Sequence, residues 1–118
     1  MKKKGPMGEF VKGSAPTLIL GVLQRGPLHG YAISRTIEEI SEGALHLGES
    51  VVYPTLRSLE EDGLVASAWE ITEAGPARKV YTLTSEGRSA LVERRSFIDI
   101  FTSVYKAVLG EQKNEATT

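Results

Sequence analysis

Three helical patterns, then a switch of the apolar period from 3.6 to 2, then one long helical pattern predict an α+β fold that is mostly helical. Two stretches carry that expectation. Within residues 48–63, Val52, Leu56 and Leu59 stand at i, i+4 and i+7, which draws one apolar stripe toward a core and makes a helix about three turns long. Straight after Gly63, Val65, Ser67, Trp69 and Ile71 alternate with Ala66, Ala68, Glu70 and Thr72, as a strand does.

Taken in order, residues 1–13 are rich in Lys and Gly, lack apolar periodicity, and are expected to form a flexible basic arm. The first helix is expected from residue 14, with Pro16 in its first turn, Leu18, Ile19, Val22 and Leu23 facing inward, and Gly26–Pro27 ending it. His29–Gly30–Tyr31 opens a second helix that runs to about Ser41. Its inward face is Ile33, Ile37 and Ile40, and Arg35, Glu38, Glu39 and Glu42 lie opposite. Residues 41–48 are a connector with Leu45 and Leu47 tucked beneath it. The third helix follows, with Pro54 expected in its first turn after Ser50 and Gly63 as its stop. After the strand comes a turn at Ala74–Gly75–Pro76, and Arg78 to Leu83 form the return strand, with Arg78 and Lys79 just beyond the hairpin tip. The alternation that buries Val65 and Ile71 would put Trp69 in a core or an interface. Thr84 caps a last helix over residues 85–109. At about 37 Å that helix is too long for one small core to cover. Leu91, Ile98 and Tyr105 are seven apart, with Phe101 and Val108 between or beyond, a heptad-like seam interrupted by Arg94. Residues 110–118 read as a polar tail.

This order of elements is that of a winged helix-turn-helix, residues 14–84, followed by a C-terminal dimerisation helix, residues 85–109. Its third helix has a polar face of unusual chemistry. Ser50, Tyr53, Thr55, Arg57 and Ser58 bring a phenol, hydroxyls and one guanidinium where an ordinary solvated helix carries Glu and Lys. That face can hydrogen-bond and stack, and a helix of this length fits a DNA major groove. Tyr53, one position from the apolar stripe, fits a core position as well, and His29 fits a structural role better than a functional one.

Composition limits the alternatives. The 118 residues make one domain, short for an enzyme with a deep pocket. Zero cysteines exclude disulfides, thiolate metal sites and cysteine nucleophiles. His29 and His46 stand seventeen apart with no cysteine near them, so no metal is expected, and no phosphate-cradling glycine motif is present. Neither catalysis nor a cofactor is expected. No run of eighteen apolar residues occurs, and Lys2 to Lys4 lead into GPMGEF and not into an apolar segment, so the chain is expected to be cytoplasmic with no membrane partner. The net charge of −1 hides a segregation: residues 1–37 carry +5, residues 38–73 carry −8 and residues 74–118 carry +2. A nucleic-acid reading therefore requires Glu38, Glu39, Glu42, Glu60, Glu61 and Asp62 to sit away from the phosphates.

A series of short motifs is more specific than any one of them. His29–Gly30–Tyr31, Val52–Tyr53–Pro54–Thr55–Leu56, Leu59–Glu60–Glu61–Asp62–Gly63–Leu64, Gly75–Pro76–Ala77–Arg78–Lys79 and Tyr81–Thr82–Leu83–Thr84 together resemble the signature of the PadR family of bacterial transcription regulators, over about residues 16–109. The resemblance implies a homodimeric repressor of the short subtype that binds double-stranded DNA. Ser50, Tyr53, Thr55 and Arg57 would then face DNA from the third helix, Arg78 and Lys79 would meet phosphates from the wing, and Tyr31 would face the phosphates from the second helix. Dimer contacts would come from Leu91, Ile98, Phe101, Tyr105 and Val108. Some relatives bind planar aromatic compounds between their long helices, which implies a cavity at Phe97, Phe101 and Tyr105 for a small aromatic effector. Those relatives place a Trp on that helix, whereas Trp69 here lies in the hairpin. A reading from another class, motivated by the acidic middle of the chain, is a winged module that senses a ligand or a protein and no longer reads DNA sequence.

Overall fold

The apolar stripes of four helices and the inward side of a small sheet meet in one core, in a computed structural model that describes residues 8–110 and, from residue 13 on, their side chains. The elements are α1 (Gly8–Leu23), β1 (Leu28–His29), α2 (Gly30–Ile40), α3 (Glu49–Glu61), β2 (Val65–Glu70), β3 (Arg78–Leu83) and α4 (Ser85–Leu109). Ile19, Leu20 and Leu23 of α1, Ile33 and Ile37 of α2, and Val52, Leu56 and Leu59 of α3 are almost wholly buried. Leu47 joins them from the connector, with Leu45 packed at the edge, as the sequence predicts. Each such side chain contributes about 1.5–3 kcal/mol by leaving water. Ile40 is the exception on its stripe: at the end of α2 it stays half exposed.

The helix starts differ from expectation. α1 begins at Gly8, so residues 8–13, expected as part of a flexible arm, are helical, while residues 1–7 of that arm and 111–118 of the tail lie outside the described residues. Pro16 sits inside the helix and does not open it. A proline ring already has a helical φ and deletes one N–H, so a helix can run through it. α3 likewise begins at Glu49, behind an extended Gly48, which puts Pro54 past the first turn, where no N–H reaches back to the Ser50 carbonyl. α3 ends as a Schellman motif: Leu64 N–H donates to Leu59 O at 2.9 Å and Gly63 N–H to Glu60 O at 3.0 Å, with Gly63 at φ 77.

The sheet has a strand the sequence reading lacked. β1 is two residues long and pairs antiparallel with β3 through Leu28↔Tyr81 and His29↔Val80, giving the order β1-β3-β2. Two residues are too few for an alternation to register, so His29 reads as helix in sequence and is strand in the fold. β2 and β3 pair in register from Val65↔Leu83 to Glu70↔Arg78. Only the base of this hairpin is buried against the body. Val65 is buried and Ser67 partly buried, whereas Trp69 is 65% and Ile71 85% exposed, which corrects the expected burial of Ile71 and leaves Trp69 outside the core. Arg78 and Lys79 are the first residues of β3, just beyond the tip, as the sequence predicts.

α4 is docked by its first turns. The Thr84 hydroxyl accepts from Gly87 N–H at 2.9 Å and donates to Gly63 O at 2.7 Å, so one side chain caps α4 and ties it to the end of α3. Gly87 lies against the Leu64 carbonyl, where a Cβ has no room. Leu91 is buried in the chain's own core, and Arg94 donates to Thr17 of α1 at 3.2 Å. Leu91 is therefore not available to the seam assigned to it; its i, i+7 spacing with Ile98 is shared by two different faces of contact. From residue 95 onward every residue of α4 is exposed.

Candidate nucleic-acid interface

α3 presents three of its sequence-assigned residues outward and turns one back. With Val52, Leu56 and Leu59 inward, Ser50, Tyr53 and Arg57 fall at i, i+3 and i+7 on the far side, and all three are exposed. Thr55 is not with them. It is half buried on the flank, and its hydroxyl donates to the Val51 carbonyl at 2.6 Å, a bond within its own helix. The core alternative for Tyr53 fails, since the residue is 40% exposed.

Tyr53 forms one wall of an open cleft of about 400 Å³ between α3, the start of α2 and the wing. His29, Gly30 and Tyr31 supply the α2 side; Trp69, Ala77, Arg78, Lys79 and Tyr81 supply the wing. Four of the residues assigned to DNA from sequence, Tyr31, Tyr53, Arg78 and Lys79, thus converge on one hollow, while Ser50 and Arg57 continue the surface along α3.

Local contacts hold these groups in place. The Arg35 guanidinium donates to Tyr31 Oη at 2.9 Å and lies 5.6 Å from the ring centroid of Tyr31, one turn apart on α2. Lys79 Nζ lies 5.7 Å from the Trp69 ring centroid across the β2–β3 pair. His29 Nε2 meets Glu70 Oε1 at 3.0 Å, which ties β1 to β2 over the intervening strand. His29 is thereby both a wall of the cleft and a tie within the sheet. Tyr81 forms a neutral wall: burial pushes its phenol up from the ordinary value, Glu60 and Tyr53 add to this, and Arg57 opposes it.

The acids lie mostly at helix ends, while Glu49 opens α3 and Glu70 stands beside His29 at the cleft. Glu38 and Glu39 lie in the last turn of α2 and Glu42 just beyond it, more than 10 Å along the helix from the cleft by the rise of about 1.5 Å per residue. Glu60, Glu61 and Asp62 end α3, and Glu60 is engaged by the Ser67 hydroxyl at 2.6 Å. The sequence reading missed Trp69 and Gly30 as cleft residues. An alternation in a hairpin gives no sign of where the body stops, and a glycine shows its use only once its neighbour is known. Among the described residues no cluster of His, Cys, Asp and Glu is able to hold a metal ion, and no helix is long and apolar enough to cross a membrane.

The second candidate region is on α4. Phe97, Ile98, Ile100, Phe101 and Val104 line a shallow apolar hollow of about 470 Å³. Tyr105, expected to share it, is stacked on Phe101 instead, with ring centroids 5.4 Å apart.

Comparison with known proteins gives this geometry a context. Residues 19–93 match the transcriptional regulator PadR-like family. The chain is 33% identical over 110 residues to the transcriptional regulator Rv3488 of Mycobacterium tuberculosis, covering 93% of this chain and 96% of that one. Its fold is similar to the crystal structure of a PadR family transcriptional regulator from Eggerthella lenta, with a TM-score of 0.80, 27% identity and 90% of each chain covered. It is also similar to Bacillus subtilis PadR, a negative transcriptional regulator solved in complex with operator DNA, with a TM-score of 0.62 and 30% identity. That match covers 67% of this chain and 45% of the Bacillus chain, so the chain spans less than half of that regulator.

Proposed function

This chain belongs to the PadR-like family of transcriptional regulators, and on that footing we propose that it is a sequence-specific DNA-binding repressor acting as a homodimer on a pseudo-palindromic operator. It is not an enzyme, in keeping with that family. The observation that carries the proposal is the convergence of Tyr31, Tyr53, Arg78 and Lys79 on one cleft, beside the outward Ser50 and Arg57 of α3. In this reading α3 enters the major groove, where Tyr53, Ser50 and Arg57 meet base edges. The wing lies on the backbone, where Arg78 and Lys79 neutralise phosphates. Thr55, whose hydroxyl donates to the Val51 carbonyl, has a lesser part.

Dimerisation would come from the far half of α4, whose Ile98, Phe101, Tyr105 and Val108 form an exposed apolar strip. A two-fold pair would set its two copies of α3 into successive major grooves, with half-sites about 34 Å apart. The hollow at Phe97 and Phe101 is the place for a small aromatic effector; planar aromatic compounds that fail to release bound DNA at any concentration would remove it from the reading.

DNA selection from a random library, read at two salt concentrations, tests the proposal. A palindromic site should be enriched, and Tyr53→Ala should lose it. Arg78→Ala with Lys79→Ala should weaken binding to all sequences and flatten the slope of log affinity against log salt by about 2. Enrichment of no site, with weak salt-sensitive binding alone, would mean that the winged fold serves a ligand or a protein partner.

A further inference from the structure

We infer that Gly30 is a positioning residue for DNA reading, the empty place in which the Tyr53 ring is seated; the inference rests on the reading of α3 given above. Gly30 opens α2 and is itself buried. A Cβ built on it would lie 2.5 Å from Tyr53 Cε1 and 2.9 Å from both Cζ and Oη. Carbon atoms in contact rest about 3.5–4.0 Å apart, so any side chain at position 30 must drive the ring away by on the order of 1 Å. The backbone of Gly30 is not in the left-handed region, so what the position needs is the missing Cβ and not an unusual φ.

The ring is the part that has to give. The chain just before Gly30 is fixed by the pairing of Leu28 with Tyr81 and His29 with Val80, and by His29 Nε2 against Glu70. Tyr53, by contrast, is 40% exposed at the open cleft, so a turn about its χ1 bond is the smaller rearrangement. A phenol moved by on the order of 1 Å can no longer hold a hydrogen bond of about 2.7–2.8 Å to a base edge. The last residue of β1 and the first of α2 thus act on sequence reading without touching a base: His29 is tied to the wing, and Gly30 leaves room for the ring that reads.

A double-mutant cycle on the full chain tests this, with binding measured to the selected operator and to random-sequence DNA at 10 °C, where a weakened variant stays folded. Gly30→Ala should lower the ratio of operator to random-DNA affinity about tenfold. In a Tyr53→Ala background the same change should have no further effect, since the added methyl then meets nothing. A Gly30→Ala chain that folds only when Tyr53 is also truncated would show that the ring does not turn aside, and would make Gly30 a scaffold position. Equal loss of operator and random-DNA affinity on Gly30→Ala, or a further loss in the Tyr53→Ala background, would make Gly30 a scaffold position and overturn the proposal alone. If Tyr53→Ala itself kept full discrimination, the reading of α3 would fail and the proposal with it.

Discussion

The winged body and the far half of α4 are built from the same kinds of residue and treat them in opposite ways. In the body Ile19, Leu20, Ile33, Val52 and Leu56 are at most 1% exposed, and the core closes without help. Beyond Arg94, Phe97, Ile100, Phe101 and Val108 are 61–77% exposed on a helix that has left the body behind. Apolar content is thus no guide to burial here; the reach of the elements that cover it is. A strip of this kind on a lone chain is the mark of an interface, and the dimer proposed above assigns it a second copy. The wing offers a small version of the same contrast. Its base is buried at Val65, and its outer half exposes Trp69 and Ile71, which the DNA reading sets beside the backbone.

The contrast breaks most visibly if the far half is made polar. Ile98→Glu with Phe101→Glu should leave the winged body folded, yield single chains in sedimentation, and lower operator affinity at least about 100-fold by removing the linked second half-site. A variant that still sediments as a dimer would move the interface elsewhere. The matching change in the body is Leu56→Ala. It should cost about 2–5 kcal/mol of unfolding free energy in urea titration and leave the oligomeric state alone. A Leu56→Ala chain that lost the dimer before it lost the fold would mean the two regions are not separate.

How far the sequence reached follows the same division. Period and punctuation gave α2, α3, the hairpin and α4 to within a residue or two, because each carries its own stripe and its own stop, such as Gly63 or Thr84. Position relative to the body was not legible. Leu91 and Ile98 are seven apart and look alike in the chain, yet one is buried in the core while the other stays half exposed. Trp69 and Val65 share a strand face with the same result. The start of α1 failed where a proline misled, at Pro16, since a ring that suits a first turn also stands deeper in a helix, there at a cost of about 3 kcal/mol. Of the candidate site, the outward face of α3 and the wing cations were readable from chemistry. Gly30 beneath Tyr53, the His29–Glu70 tie and the self-directed Thr55 hydroxyl were not, as each depends on a partner distant in the chain or on a rotamer.

A smaller effect sharpens the border between the two regions at its near side. The Thr84 hydroxyl both caps α4 and holds the Gly63 carbonyl, so Thr84→Ala removes a cap and a tie together. Loss of an N-cap costs about 0.5–2 kcal/mol. Thr84→Ser, which keeps the oxygen, should recover most of it in thermal melts, and a serine variant as unstable as the alanine one would assign the effect to the lost methyl.

Arg94 marks the far side of the border, and its effect should be the smallest. It is the last described residue of α4 with a hydrogen bond to the body, donating to Thr17 on α1. Its position interrupts the heptad-like spacing because it serves the docked half and not the exposed strip. Arg94→Ala should therefore cost about 1 kcal/mol or somewhat more, the value of one hydrogen bond from a charged donor, with dimer mass and DNA slope unchanged. Paired with Thr17→Ala it should show coupling, the double change costing less than the two single ones together. If Arg94→Ala instead weakened the dimer and was insensitive to Thr17, the docked half of α4 would end a turn earlier, near Leu91, and Arg94 would belong with the residues that meet the second copy.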